Sequence, residues 1–415
     1  MADSLCSADF PPYAVCTLDG EHFLIAGGGG QARTGVPNAI EIFEFLKSTR
    51  SLTAVSKCRY DTDKGEDRSA IMNADVHRVG NGSFIMVTGK DEMCQLYEIN
   101  KVKADKEKTD KDLRRRKGKE EESSSSEEEE NDNKAKYVIE RLKSVQSDFG
   151  KPEKYQKVVK FINDGSVFVT GGADGYIRVW KYQTLSKEHE IQAHSKEIDD
   201  LDISPSGSKI VSVSRDCKAF VWNTKDGSKT CELTWDQSKP EKAYRYRSCR
   251  FGIVEGDKSK SKLFTIHVPH VRDKTNTYCY VTKWDTQKFI PEKTVSTGTD
   301  VLSALAVSPD GNYVGLGTMS GSVAVYISFS LQKLKLVKDV HGIFVTGLSF
   351  VPISEGNIEL LGNQDCSLLS ISADKQCKVL RVSKQTKYHG LVIVLGFLAV
   401  VVLLILFLDY IGVPL

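Results

Sequence analysis

The stretch Leu24 to Phe45, "LIAGGGGQARTGVPNAIEIFEF", holds the residues that first suggest chemistry. Four consecutive glycines and a Thr-Gly pair can present backbone amides to a phosphate. A phosphate loop, however, needs Gly-Lys-Ser/Thr directly ahead of a helix, with the Lys on the phosphates and the hydroxyl on magnesium. Here Arg33-Thr34-Gly35 runs into Val36-Pro37, and the next run, "AIEIFEF", alternates as a strand. The dinucleotide fingerprint fails on the same ground, since no helix N-terminus follows to meet a pyrophosphate. The loop is not read as a nucleotide site.

Two histidine motifs are the next candidates. "HEIQAH", His189 to His194, resembles a zinc-protease motif, but its spacing is one residue too long for both imidazoles to share a helical face. "HVPH" offers His267 and His270 without a third ligand nearby, and both are read as surface-loop histidines. No Gly-x-Ser-x-Gly elbow is present. The 10 cysteines form no Cys-x-x-Cys pair and no secretory leader precedes them, so they are read as reduced, small core residues. No residue set points to an enzyme that makes or breaks covalent bonds.

The elements that must carry these residues repeat. "FVTGGADGYIRVW" ends at Trp180 and "IVSVSRDCKAFVW" at Trp222, with Asp174 and Asp216 each six residues earlier. A spacing of about 40–45 residues belongs to a four-stranded propeller blade. His194, in "AHSKEIDDL", stands where WD-repeat blades carry a histidine, so Asp174, Trp180, His194, Asp216 and Trp222 are assigned structural roles. Weaker copies set Asp91 before Tyr97, Ser320 before Tyr326 and Asp374 before Leu380, and a degenerate unit ends at Trp284. The opening stretch ends a further unit at Phe43. Each shows two alternating apolar runs around a Gly, Asp or Asn turn, as a hairpin requires. Seven units close a ring and leave few open sheet edges.

Against that register the glycines change meaning. Blade three needs one residue between Gly172 and Asp174, whereas Gly28 and Pro37 are separated by eight, so the first blade carries a seven-residue insertion at its central hairpin turn. Glycines are costly in unfolded-state entropy, and a run of them wants a backbone purpose, such as turning amides or carbonyls toward an ion or a partner. A second insertion, Lys101 to Lys136, is almost free of apolar side chains and is read as a disordered loop. Its Ser123 to Ser126 precede four Glu and suit an acid-directed kinase, or else belong to a solvated insert. The net charge of +2 gives no reason to expect a nucleic-acid surface.

The end of the chain differs in character. From Gly390 to Leu408 no charged side chain occurs, and such a helix would be roughly 28 Å long. That length predicts a transmembrane helix, entered from a basic juxtamembrane linker (384–389) and followed by a short lumenal tail (409–415). Lys378, Arg381, Lys384 and Lys387 place residues 1–383 in the cytosol, and the shortness of the span suits the thin endoplasmic-reticulum bilayer. The expected fold is thus an all-β, seven-bladed WD-repeat propeller followed by a single C-terminal transmembrane helix.

The glycine loop Gly27 to Asn38, "GGADGYIRVWK", "GLGTMSGSVAVY" and the charged insert together resemble the prolactin regulatory element-binding protein family. These are endoplasmic-reticulum guanine-nucleotide exchange factors that start COPII coats. The resemblance implies exchange activity on the coat's small GTPase, at the membrane, without covalent catalysis. It implies that Gly27, Gly28, Gly29, Gly30, Gln31 and Thr34 contact the GTPase or hold a potassium ion. It further implies that Asn38 is important for exchange, with Gly35, Val36 and Pro37 in the same motif. An exchange factor must favour the nucleotide-free GTPase and so, by reciprocity, weaken nucleotide binding. The alternatives are an anchored WD-repeat scaffold without exchange activity and a nucleic-acid-binding regulator, the latter disfavoured by the balanced charge.

Overall fold

Alternation along each apolar run buries both faces of the inner strands, and that pattern dictates sheets stacked side by side. The computed structural model describes the chain except residues 1, 32–34, 48–50, 64–67, 81, 103–135, 236–242, 255, 272–276, 355–356, 363, 385–387 and 411–415. The described strands form seven four-stranded antiparallel sheets. Blade one, for example, comprises Pro12–Thr17, His22–Gly27, Ala39–Lys47 and Leu52–Asp61. The first strands of successive blades touch their neighbours all the way round, the seventh returning to the first. The molecule is a seven-bladed WD-type β-propeller.

An apolar cluster fills each seam between blades. Blade one shows why. In His22–Gly27 every residue is buried; Phe23 and Ile25 face the seam with blade seven, while Leu24 and Ala26 face blade two. The ring is closed by the N-terminal strand Asp3–Ser7, which pairs with Gln376–Ser383 as the fourth strand of blade seven.

In blade four, His194 Nδ1 lies 3.0 Å from Asp216 Oδ2 and its Nε2 lies 2.8 Å from Ser212 Oγ. Trp222 Nε1 donates to the same Ser212 Oγ at 2.9 Å. Ser212 therefore gives its own hydrogen to Nε2, and the Nδ1 hydrogen goes to Asp216. Burial acts to raise the Asp216 carboxyl, but His194 and nearby backbone N–H groups bring it down to about 2. In blade three Trp180 Nε1 donates to Thr170 Oγ1 at 2.9 Å, while Asp174 accepts from Arg178 at 2.7 Å and has no histidine partner. A set like that of blade four stands in blade seven, where His341 meets Asp374 Oδ2 at 3.2 Å and Ser370 Oγ at 2.9 Å. With Leu380 at the Trp position and a loop carrying the short helix Ile358–Leu361, this set is stretched and the sequence pattern hides it.

Two expectations are corrected. His267 is not a surface residue: it is buried in the strand Asp257–Pro269 and stacks on Trp235 at 3.8 Å. The second concerns the C-terminus. A helix covers Tyr388–Tyr410, yet among the described residues no helix is long and apolar enough to cross a membrane. The transmembrane span, with the endoplasmic-reticulum membrane placement and the lumenal tail that rested on it, is overturned by this finding. Most of the charged insert, including Ser123 to Ser126, lies outside the described residues.

Candidate functional site

The loop between the second and third strands of blade one covers residues 28–38, where blade three turns in residues 173–175. Its stem is built from close backbone approaches. A Cβ at Gly27 would stand 2.1 Å from the Pro11 carbonyl oxygen, one at Gly28 2.0 Å from Asn38 Oδ1, and one at Gly29 2.8 Å from Val36 Cβ. Gly28 (φ 146°) and Gly30 (φ 70°) also take backbone angles that disfavour side chains. The Gly28 N–H donates to the Pro11 carbonyl at 3.0 Å, tying the stem to the first strand's entry.

Asn38 organises the rest. It is only 1% exposed, and every polar group on it is engaged within the chain. Its Oδ1 accepts from the Gly30 N–H at 2.9 Å, and its Nδ2 donates to Asp63 Oδ1 at 2.6 Å and to the Arg68 carbonyl at 2.7 Å. Its own N–H donates to Asp63 Oδ2 at 2.9 Å, and its carbonyl accepts from the Thr62 N–H at 2.8 Å. Asp63 thus grips one residue through both carboxylate oxygens, and Asn38 joins the glycine run to the segment leading into blade two. It does not present its amide at the surface.

Beyond this clamp the loop emerges. Gln31 and Gly35 are exposed, Val36 and Pro37 half-buried, and Thr34 lies outside the described residues. Gln31 Nε2 donates to Asp91 Oδ2 at 2.9 Å, and Ser69 Oγ donates to the same oxygen at 2.6 Å. Asp91 sits in the corresponding turn of blade two, so the loop leans on its neighbour. A polar cavity of about 500 Å³ opens beside it, lined by Tyr13, Gly28, Gly30, Gln31, Asp91 and Tyr155. Burial and then the Asp91 carboxylate push the Tyr155 hydroxyl up.

Among the described residues no group of three or more His, Cys, Asp or Glu could hold a metal ion. Of the histidine motifs, His189 meets the Lys225 carbonyl at 2.9 Å, His194 is held in blade four, and His270 lies 3.3 Å from Cys217 Sγ. The glycine run offers a different donor set, main-chain oxygens, and a Cβ at Gly30 or Gly35 would meet nothing within 4 Å. Backbone carbonyls of this kind replace the hydration shell of potassium.

Sequence reasoning singled out the loop and Asn38 but missed Asp63, Ser69 and Asp91, which brace it. The available signal was the "DTD" at Asp61 to Asp63, where a carboxylate closes an alternating strand.

Comparison with known proteins adds the context. The WD domain, G-beta repeat model matches residues 156–181 and 185–223, the third and fourth blades. The guanine nucleotide-exchange factor SEC12 of Rattus norvegicus is 37% identical over 385 residues, covering 90% of this chain and 89% of its own length. The protein of that name from Mus musculus gives the same identity and coverage. SEC12-like protein 2 of Arabidopsis thaliana is 28% identical over 57% of this chain and 53% of its own. Identity sustained over nine-tenths of the chain is not a property of WD repeats in general, and on that ground the chain belongs to the SEC12 family of guanine nucleotide-exchange factors.

Proposed function

We propose that this chain is the guanine-nucleotide exchange factor for the small GTPase that initiates COPII coat assembly. The observation that supports it most is the 37% identity to SEC12 proteins over 385 residues. The glycine loop is mounted on a propeller whose blade seams are packed with apolar clusters.

Exchange requires differential binding: the factor must hold the nucleotide-free GTPase more tightly than the loaded form. A propeller with an apolar cluster in each seam does not yield when a partner docks. The exposed residues of the loop, Gln31 and Gly35, then meet the partner where they can disturb the contacts that order a GTPase's switch segments. Asn38 acts as a positioning residue, because its polar groups are already committed to Gly30, Asp63, Arg68 and Thr62. Gln31, Gly35, Val36 and Pro37 are the described residues on the partner side.

Potassium, when bound, would be held by main-chain oxygens of Gly28, Gly29 and Gly30, and its charge would order their carbonyls. Exchanging potassium for N-methylglucamine is expected to increase proteolytic cleavage within residues 28–38 severalfold. Equal cleavage in both salts would remove the ion from the proposal.

The activity is tested by adding the 415-residue chain to the COPII GTPase loaded with fluorescent GDP and following release. Accelerated release is expected, saturating with the concentration of the chain. Release at the intrinsic rate, with binding intact, would identify a scaffold without exchange activity instead.

A further inference from the structure

The seam that closes the ring carries two thiols in register. In the pairing of Asp3–Ser7 with Gln376–Ser383, Ser4 stands opposite Lys378 and Cys6 opposite Cys377, with Leu5 bulged out between them. The bulge sets this register, and the buried Leu5 side chain occupies the apolar cluster that also contains Cys377, with Cys6 packed against it. Residues directly opposed in an antiparallel pair have Cα atoms about 4.5–5.5 Å apart. That separation lies within the roughly 4.4–6.8 Å range a disulfide spans. All 10 cysteines are free, and no other two are register partners among the described strands. Cys6 is half-buried and Cys377 is 1% exposed.

We propose that Cys6 and Cys377 are a redox modification site, a thiol pair that oxidises to a cross-strand disulfide and fastens the N-terminal strand to blade seven. The oxidant is a low-molecular-weight disulfide, RSSR. Cys6, the more accessible thiol, loses its proton to solvent and attacks one sulfur of RSSR, forming a mixed disulfide and releasing RSH after protonation. Cys377 then loses its proton and attacks the Cys6 sulfur, expelling the second RSH. Two thiols and one RSSR give one protein disulfide and two RSH, with two electrons passing to the small molecule. The Cys6 contact and then burial push the Cys377 thiol well above its ordinary range, which makes the second step the slow one.

The position gives the bond leverage. Among the described residues the strand Asp3–Ser7 supplies the fourth, outer strand of blade seven, so its detachment leaves that blade one strand short at the closure. A few residues further on, the Pro11 carbonyl holds the Gly28 N–H at the base of the glycine loop. Fastening Cys6 therefore restrains both the closure and the segment that supports the loop. This inference does not depend on the exchange activity.

The test is incubation of the 415-residue chain with oxidised glutathione, followed by non-reducing peptide mapping. A cross-linked peptide joining the Cys6 and Cys377 segments is expected, lost on adding dithiothreitol and absent from Cys6→Ser and Cys377→Ser. The thermal midpoint of the oxidised wild type is expected to rise by several degrees over the reduced form, with no such rise in Cys6→Ser. Because Cys377→Ser places a hydroxyl in an apolar seam and can unfold, Cys6→Ala serves as the second variant. A glutathione adduct at Cys6 without the cross-link, cross-links confined to other cysteines, or an equal midpoint rise in Cys6→Ser would each overturn the proposal.

Discussion

Blades four and one solve the same local problem in different ways. In both, the turn between the second and third strands must be fixed to a neighbouring loop by a buried polar hub. Blade four uses His194, which reaches Asp216 in its short turn and, through Ser212, Trp222 in the sheet. Everything is consumed internally and nothing projects. Blade one uses Asn38 and Asp63, and places the hub at the stem of the loop, with Gln31 and Gly35 exposed beyond it. The first hub makes a blade rigid; the second makes a long loop rigid at its root while leaving its tip available. Removing each hub should therefore damage different properties.

Asn38→Ala should have the largest effect on exchange. It leaves the Gly30 N–H, Asp63 Oδ1 and the Arg68 carbonyl without their side-chain partner, while the backbone N–H of residue 38 still donates to Asp63 Oδ2, a cost of about 1–3 kcal/mol in holding the loop. If that cost falls on the transition state, exchange drops roughly ten- to a hundredfold. The seam clusters do not include Asn38, so the thermal midpoint should move little. Nucleotide-release rates alongside a melting curve check this; wild-type release would show that the stem clamp is irrelevant to activity.

His194→Ala should reverse the pattern. Ser212 and Asp216 lose a buried partner, which costs about 2 kcal/mol of stability. Exchange per folded molecule should remain at the wild-type level, because blade four lies across the ring from the loop. Denaturant titration with release assays on the folded fraction measures both. Equal losses of exchange in His194→Ala and Asn38→Ala would erase the distinction between the two hubs.

Asp91→Ala addresses the tip rather than the stem. It frees Gln31 and Ser69 from their shared oxygen in a partly exposed setting, where a hydrogen bond contributes roughly 0.5–1.5 kcal/mol. A threefold to tenfold loss of exchange is the expected range. A change in the concentration giving half-maximal release, rather than in the maximal rate, would mean that Asp91 itself touches the partner.

The same contrast explains what the sequence could convey. The Asp-to-Trp spacing of blades three and four is local, set by one hairpin, and it reads directly from the chain. The closing strand Asp3–Ser7 pairs with Gln376–Ser383 at the other end of the propeller sequence, and a five-residue run carries too little pattern to announce that. The His341 set was hidden because its histidine stands 33 residues before Asp374, against 22 between His194 and Asp216. At the candidate site the glycines were conspicuous by composition, and Asn38 was marked by the family resemblance. Their partners Asp63 and Ser69 were not, and Asp91 was legible only as a blade turn, since a polar hub spanning 25 or 60 residues leaves no periodicity. His267 was misplaced for a related reason: a polar residue at an inward strand position looks like a loop until Thr265 and Trp235 are seen around it.

The smallest expected effect is on pH. The His341 hub can titrate, whereas the Asn38 clamp contains no histidine. Burial, partly offset by Asp374, lowers the His341 pKa below its ordinary value. The unfolded chain, with a histidine pKa of about 6.5, then binds more protons than the native state as the pH falls through that value. Stability is therefore complete above about pH 6.5 and declines below it. Buried His267, whose pKa burial also pushes down, contributes with the same sign. The denaturant midpoint should fall between pH 7 and pH 5.5, and His341→Asn should flatten part of that slope, leaving the His267 share. Protease protection of residues 28–38 in the folded protein should stay constant across the same window. Loss of that protection in step with global stability would mean that the loop is held by the propeller as a whole rather than by Asn38.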